Sequence, residues 1–240
     1  EQLVYFGDTA HLPYGDKSTA AIQAYSVKIA QFLLNQPVKM IVIACNSASA
    51  AAFDLVEAYV NGKVPVVNVI DPAAGMAAAK YPCKAIGVIG TKQTIQSAVY
   101  ERKIHALDPH IKVCALPTPL LAPMIEEGFF NKNISLQIIE AYLTAPELAT
   151  IKALILGCTH YPLIREEVEQ WYQGRVDVID ASEYVALAVE QQLEARSLKN
   201  DSGKKGKDKF FVSDYTEAFE KATRIFFGEK VSLKHYPLWT

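Results

Sequence analysis

Apolar runs and helical periodicity alternate along this chain of 240 residues. A short apolar run bounded by turn residues predicts a buried strand, and apolar residues recurring every three or four positions predict a helix. The runs predict strands at 3–6, 40–44, 64–70, 85–89, 111–116, 153–157, 176–179 and 210–213. The periodic stretches predict helices at 18–35, 48–59, 72–80, 92–106, 134–143, 163–172, 183–195 and 216–227. This alternation predicts an α/β fold with mainly parallel sheets flanked by helices.

Proline sharpens two of these boundaries. Pro72 is expected at the first position of its helix, where its fixed φ is favourable and its missing N–H costs nothing. The stretch 116–119 contains Pro117 and Pro119. It is expected to be a loop, because proline cannot donate a hydrogen bond to a neighbouring strand.

A weak repeat relates the two halves of the chain. In each half a strand ends near a glycine, helices follow, and a later strand ends at a cysteine, Cys45 in one half and Cys158 in the other. The repeat predicts two pseudo-symmetric lobes with a site between them. We expect the first lobe to combine residues 1–80 with 185–240, and the second lobe to hold residues 81–184.

Composition narrows the classes of function. A net charge of −2 argues against a general nucleic-acid binder. The lysine-rich stretch 199–209 is short and mixed with Gly and Asp, so we expect it to be a solvated loop. No apolar run approaches the roughly 18 residues that span a bilayer, so no membrane partner is expected. Four cysteines are too few for a secreted disulfide scaffold, which indicates the reducing cytoplasm.

Two cysteines carry the candidate chemistry. Cys45 and Cys158 each follow a predicted buried strand, and ligands of open α/β sheets bind just outside the carboxyl ends of strands. A thiolate on one face of a carbon atom and a thiol on the other could remove a proton and return one to the opposite face. Such a pair would racemise that carbon. His160, two residues after Cys158, could promote ionisation of its thiol.

The neighbouring polar side chains suit substrate binding as well as ordinary helix capping. Asn46, Ser47 and Thr159 directly follow the two cysteines or their strands. In the loop after the first strand, Tyr14 could donate its hydroxyl to a substrate carboxylate, and Asp8 could be a site carboxylate or a cap. The chain carries no P-loop, no dinucleotide fingerprint and no lysine placed for a pyridoxal phosphate Schiff base, so no cofactor is expected.

Other interpretations stay open from the residues alone. Each cysteine could be a small core residue, which is the role expected for Cys83 and Cys114. A Cys–His hydrolase would use one thiol as its nucleophile and would leave the second cysteine unexplained. Zinc held by Cys45, Cys158 and His160 would need an unusual ligand spacing. A non-enzymatic binding lobe is the last alternative.

Several segments, in order along the chain, resemble the glutamate racemases of bacterial cell-wall synthesis. These segments are Tyr5–Ala10, Pro13–Gly15, Ile43–Ser49, Gly90-Thr91 with Thr94, Leu156–Leu163 and Val212–Asp214. The match extends nearly end to end, and the two cysteine segments together are its most specific part. It implies a cofactor-independent enzyme that interconverts L- and D-glutamate between two α/β lobes. A related racemase acting on aspartate or a hydantoin-type compound is the alternative.

The resemblance also implies roles for individual residues. Cys45 and Cys158 match the two acid/base cysteines, and His160 matches the residue that assists the second. Glu126 matches a site carboxylate, with Glu127 as the other choice. The positions that match substrate-binding residues are Pro13, Tyr14, Gly15, Asn46, Ser47, Thr91, Thr94 and Thr159.

The chain departs from the family pattern at two places. Ser47 stands where Thr is usual and keeps the hydroxyl. The family opens with one more strand, ending in an Asp-Ser-Gly loop, and this chain begins after that strand. The resemblance therefore predicts a fragment with an unpaired strand edge in its first lobe, and it leaves an inactive truncated homologue as an alternative. A homodimer is compatible with the sequence, which does not fix the oligomeric state.

Overall fold

The computed structural model describes residues 1–204, 206–215, 223 and 231–239. Its strands are β1 (Val4–Gly7), β2 (Ile41–Ile43), β3 (Val66–Asn68), β4 (Ala85–Gly90), β5 (Lys112–Pro117), β6 (Ala153–Gly157), β7 (Asp177–Ile179), β8 (Lys209–Val212) and β9 (Leu233–His235). Its α-helices are α1 (Thr19–Leu34), α2 (Asn46–Val60), α3 (Ile70–Lys80), α4 (Lys92–Gln96), α5 (Val99–Leu107), α6 (Leu121–Glu126), α7 (Asn133–Leu143), α8 (Arg165–Tyr172) and α9 (Ser182–Ala195). Short 3-10 turns lie at Thr9–His11, Tyr14–Asp16, Pro146–Leu148 and Tyr161–Ile164.

The middle of the chain forms a four-stranded parallel sheet in the order β5-β4-β6-β7. Side chains of β6 alternate between two apolar clusters. Ile155 points into the cluster that contains α3 and α5, and Leu154 and Leu156 point into the cluster that contains α6, α7 and α8. Because helices cover both faces, the strand is apolar throughout and every one of its residues is buried. This buried sheet fixes the position of the residue that follows β6, Cys158.

The remaining strands form two separate parallel sheets, in the orders β1-β8-β9 and β2-β3. Helices α1 and α2 pack together over β2 and β3 around a core that includes Ile22, Val56 and Val60. Among the described strands, β1 pairs with β8 alone, as an edge strand of its sheet. Exposed apolar side chains occur on these strands at Tyr5 and Val42.

The predicted fold class is confirmed, and the expected strands are found with small shifts at their ends. The expected helix 92–106 is broken into α4 and α5, because Ala98 adopts a left-handed conformation with φ 53° between them. Pro72 is the third residue of α3 rather than the first, since that helix begins at Ile70. Within the lysine-rich stretch, the described residues 200–204 and 206–208 form the expected loop.

Two further expectations about secondary structure were wrong or incomplete. Pro117 is not in a loop but is the last residue of β5, opposite Gly90 of β4. Proline is tolerated there because β5 is an edge strand whose other side needs no donor. The pattern did not predict α6, a helix of six residues that ends at Glu126. The expected helix 216–227 lies outside the described residues, apart from Thr223.

None of the described helices is long and apolar enough to cross a membrane.

Candidate active site

Cys45 lies at the junction between β2 and α2. The backbone is extended at Cys45 itself, with φ −111° and ψ 130°, and the helix begins at the next residue. Its side chain is partly exposed, whereas Asn46 and Ser47 behind it are buried. A strand that turns directly into a helix presents its junction residue at the end of the sheet, where a ligand can reach it.

Cys158 occupies the corresponding position at the end of β6. Its side chain is buried, with 7% exposed.

Burial raises the pKa of the Cys45 thiol to about 11; the N–H of Ala48 opposes this shift, and negative charge on Cys158 adds to it. The two thiols are therefore close enough to interact electrostatically, although they come from different sheets. At neutral pH this holds Cys45 in its protonated form, ready to donate a proton.

A hydrogen-bonded chain connects Cys158 to a carboxylate. Cys158 Sγ lies 3.6 Å from His160 Nδ1, and His160 Nε2 lies 3.0 Å from Glu126 Oε1. Burial alone would lower the pKa of His160, but its hydrogen bonds to Cys158 and Glu126 and their negative charges outweigh burial and raise the pKa to about 10. An imidazolium beside Cys158 stabilises the thiolate. The arrangement thus places a cationic side chain beside Cys158, with a carboxylate behind it.

Of the two glutamates considered from the sequence, Glu126 is the one that contacts His160. Glu127 is the C-cap of α6, and its backbone N–H donates to Pro123. The short helix α6, which the sequence pattern missed, brings Glu126 to the histidine. The contact leads to a prediction that separates the two glutamates.

Glu126→Gln is expected to lower the pKa of His160, because a neutral amide no longer stabilises the imidazolium. In the unchanged protein His160 should keep its second proton until about pH 10. In the variant that proton should be lost at a lower pH, and the turnover number should fall. An NMR titration of the His160 ring protons measures the shift directly. Glu127→Gln is the matched control and should leave the titration unchanged; the reverse result for the two variants would contradict the assignment.

Three hydroxyls from the two lobes meet beside the cysteines. Ser47 Oγ lies 2.8 Å from Thr91 Oγ1 and 3.4 Å from Thr94 Oγ1, and the two threonine oxygens are 3.1 Å apart. Thr91 also caps α4, accepting from the Thr94 N–H at 3.3 Å. Gly15 packs on this group so tightly that a Cβ there would lie 2.8 Å from the Thr91 side chain. These contacts join the start of α2 to the start of α4 and to the Tyr14–Asp16 turn.

Asn46 is oriented by a residue that sequence reasoning missed. Tyr100, on α5 in the other lobe, donates its hydroxyl to Asn46 Oδ1 at 2.8 Å. Tyr100 is buried, and burial followed by the charge of Cys158 raises its pKa far above the ordinary value. A hydrogen bond to the amide oxygen leaves the Asn46 NH₂ group as the donor for a ligand. Tyr100 lies within the predicted helix 92–106, and no motif pointed to this role.

A second buried tyrosine supports the Cys158 segment. The Tyr161 hydroxyl lies 2.7 Å from Thr118 Oγ1 and 3.2 Å from the Thr118 carbonyl oxygen. Tyr161 is fully buried, and burial together with the charge of Cys158 raises its pKa. The anchor fixes the turn that carries His160. Thr118 follows Pro117 directly, which explains why the end of β5 matters for the site.

The other predicted binding residues are Pro13, Tyr14 and Thr159. Pro13 and Thr159 are exposed, and Tyr14 is partly buried. The Tyr14 hydroxyl does not face a ligand as a donor, because it donates to Asp8 Oδ2 at 2.6 Å. That charge-assisted bond uses its only proton. The role of Tyr14 toward a substrate carboxylate stays a prediction, and in this structure its hydroxyl is held by Asp8.

An open cavity of about 380 Å³ lies beside the Tyr14–Asp16 turn. Neither Cys45 nor Cys158 lines it. Its lining includes two lysines, Lys17 and Lys92, together with Gly15 and Asp16. Lys92 Nζ lies 3.5 Å from Asp16 Oδ1 across the two lobes. The net positive charge of this rim favours the approach of an anionic ligand.

The geometry does not favour a metal centre. Among the described residues, no group of three or more His, Cys, Asp or Glu side chains is arranged to hold a metal ion. Both ring nitrogens of His160 already have partners, Cys158 on one side and Glu126 on the other.

The chain is similar to known proteins over most of its length. Residues 2–190 match the family model described as Asp/Glu/Hydantoin racemase. The glutamate racemase of Geobacter metallireducens is 36% identical over 231 residues, which cover 96% of this chain and 85% of that protein. The glutamate racemase of Streptococcus pneumoniae is 40% identical over 181 residues, covering 75% of this chain and 67% of its own length.

Solved structures agree with these sequence relatives. Glutamate racemase from Francisella tularensis in complex with D-glutamate superimposes with a TM-score of 0.93 at 36% identity, covering 100% of this chain and 89% of that one. Glutamate racemase from Thermus thermophilus in complex with β-chloro-D-alanine superimposes with a TM-score of 0.86 at 37% identity, covering 98% and 87%.

Proposed function

Because this chain belongs to the Asp/Glu/Hydantoin racemase family, we propose that it interconverts L- and D-glutamate with Cys45 and Cys158 as its acid and base. The observation that carries the proposal is the pair of electrostatically coupled thiols at the ends of two strands from different sheets. We also propose that the lobes divide as residues 1–80 with 185–240, and 81–184. The site then lies where the lobes meet.

The proposed reaction inverts the α-carbon by two proton transfers. The Cys158 thiolate, stabilised by the His160 imidazolium, removes the α-proton from one face of an amino acid. The electron pair stays on the α-carbon and its carboxylate. The Cys45 thiol then delivers its own proton to the opposite face, and the enzyme is left with a thiol at Cys158 and a thiolate at Cys45. The opposite enantiomer is converted by the reverse transfers.

The surrounding donors suit an amino dicarboxylate. Asn46 offers an amide NH₂ group whose oxygen is already held by Tyr100. Ser47, Thr91 and Thr94 offer a cluster of hydroxyls, and hydroxyls can bind either carboxylate or ammonium groups. Thr159 is exposed next to Cys158. We propose that these residues, with the Pro13–Gly15 loop, position the substrate between the thiols.

The runner-up functions differ in substrate or in chemistry. A racemase of aspartate or a hydantoin-type compound would use the same thiols, and the similarity to glutamate racemases favours glutamate. A Cys–His hydrolase finds support in the chain from Cys158 through His160 to Glu126, but it gives Cys45 no part. An inactive truncated homologue would bind without turnover. The proposed enzyme needs no cofactor or metal.

The proposed cellular role follows from the product. D-glutamate made by such an enzyme would supply peptidoglycan synthesis. All four cysteines of the chain are free thiols. An enzyme that depends on two of them requires a reducing compartment, so we propose that it acts in the cytoplasm.

A direct assay tests the proposed function. Purified protein, dialysed against a chelator and supplied with no cofactor, should convert either enantiomer of glutamate to a racemic mixture, measured by the decay of circular dichroism. The specificity constant for glutamate should exceed that for aspartate by about 10²-fold or more. Aspartate also has two carboxylates, but it has one methylene fewer between them and fits a site matched to the glutamate spacing less well. Equal or better turnover of aspartate or of a hydantoin, or loss of activity on chelation, would contradict the proposal.

A further inference from the structure

The carboxylate of Asp8 collects hydrogen bonds from distant parts of the chain. Asp8 follows β1 and is buried, with 8% exposed. Its Oδ1 accepts from Ser213 Oγ and from Trp239 Nε1, each at 2.7 Å. Its Oδ2 accepts from the Tyr14 hydroxyl at 2.6 Å, and His11 Nδ1 lies 2.9 Å from the same oxygen. A buried carboxylate with this many donors is held firmly in place.

Trp239 is packed as well as hydrogen-bonded. Its ring meets the His11 ring edge-on at 4.5 Å between centroids and the Tyr25 ring at 5.3 Å. His11 in turn stacks on Tyr25 at 3.9 Å. The Nζ atom of Lys28 lies 5.0 Å from the indole centroid. Trp239 is the last residue that the structure describes. Together with Asp8, His11 and Tyr25 it surrounds the loop that follows β1, and we call these four residues the cage.

The cage connects to the cleft through Tyr14. Burial and the hydrogen bond to Asp8 raise the pKa of Tyr14, and the charge of Cys45 adds to this effect, so the phenol lies near that thiol. The next residue, Gly15, packs against Thr91 of the other lobe. A displacement of Asp8 would therefore be transmitted to Tyr14 and to the contact between the lobes.

We propose that Trp239 and Ser213 are positioning residues that act through Asp8 to hold the Tyr14–Gly15 segment at the wall of the cleft. The carboxyl-terminal segment 231–239 is then part of the machinery that shapes the substrate site, although it does not touch the cysteines. The proposal accounts for the Val212–Asp214 motif, for which the proposed reaction gives no role. The expected change in KM rests on the proposed function. The expected loosening of the Tyr14–Gly15 segment rests on the structure alone.

Trp239→Phe is the sharpest variant, because it keeps an aromatic ring in the cage and removes the Nε1–H donor. KM for both enantiomers of glutamate should rise about threefold or more, because the Tyr14–Gly15 segment is held less firmly, with a smaller change in kcat. Ser213→Ala should act in the same direction. Trp171→Phe is the matched control: it makes the same chemical change at the chain's other tryptophan, and both kinetic constants should stay as they are.

A readout without turnover tests the mechanical part. Lys17 ends the Tyr14–Asp16 turn, and its N–H donates to the Tyr14 carbonyl at 3.1 Å. Loosening the loop in Trp239→Phe should speed tryptic cleavage after Lys17 about threefold or more, followed by mass spectrometry of the fragment 1–17, because cleavage tracks local opening. Trp171→Phe should be cut at the original rate.

The two readouts separate the proposals. If the unchanged protein does not racemise glutamate, the proposed function fails, and the cleavage experiment still decides whether Trp239 holds the loop. If Trp239→Phe lowers only the melting temperature, while KM and the rate of cleavage after Lys17 stay unchanged, Trp239 is merely structural and the positioning proposal is overturned.

Discussion

Replacing either cysteine by alanine is expected to abolish racemisation. Cys45→Ala removes the proposed proton donor on one face of the substrate, and Cys158→Ala removes the proposed base on the other. Each single change should reduce the rate of interconversion by at least about 10³-fold, within the range that general acid–base groups contribute. Circular dichroism of glutamate solutions measures the loss. Serine in place of either cysteine should restore little, because a hydroxyl is a much weaker acid than a thiol.

The two alanine variants should differ in their partial reactions. Each variant keeps one thiol. That thiol can still remove the α-proton of the enantiomer whose α-hydrogen faces it. Elimination from an N-hydroxy amino acid analogue should therefore persist for one enantiomer in Cys45→Ala and for the opposite enantiomer in Cys158→Ala. Loss of the same enantiomer in both variants would show that the thiols do not serve opposite faces.

Cys83→Ala is the control for these variants. Cys83 is an exposed free thiol rather than the core residue expected from the sequence, so its replacement should leave racemisation unchanged. A variant of Cys45 or Cys158 that racemises glutamate at close to the original rate would refute the two-thiol mechanism.

The sequence was sufficient for the parts of the fold that local pattern controls. An all-apolar run such as Ala153–Gly157 is readable because both faces of its strand are covered, and β6 was predicted to the residue. The break at Ala98 was not readable, since alanine is a strong helix former and only tertiary packing puts it at φ 53°. The six residues of α6 are too few to establish a period, and Pro123 within them is an unfavourable helix residue.

In the candidate site too, some features could be predicted from local sequence pattern, and others depend on contacts that only the structure shows. Strand ends are visible in sequence, and so Cys45 and Cys158 were found from position alone. Contacts between residues far apart in the chain are not visible: Tyr100 reaches Asn46, and Trp239 reaches Asp8 across 231 positions. The resemblance named Glu126 and Glu127 together. Only the end of α6 decides which of them contacts His160.

Gly157→Ala is expected to cost both stability and activity. Gly157 lies opposite Gly90 at the ends of β6 and β4, directly before Cys158. A Cβ at Gly157 would lie 2.7 Å from the backbone carbonyl oxygen of Ile89 and 3.3 Å from a methyl of Val88. A backbone oxygen in the middle of a sheet cannot rotate away as a side chain could. The two strands must therefore separate at the end that carries the thiol.

This overpacking should lower the free energy of unfolding by about 1–3 kcal/mol, measured by denaturant titration. The displacement of Cys158 should reduce kcat about 10²-fold, because proton transfer depends on the position of the sulfur to within about 1 Å. Gly75→Ala is the matched control. A Cβ at Gly75, within α3, meets nothing within 4 Å, so that change should stabilise the protein by roughly 0.5–1 kcal/mol and leave kcat unchanged. If Gly157→Ala kept both its stability and its kcat, the close approach of β4 and β6 would not be what sets the position of Cys158.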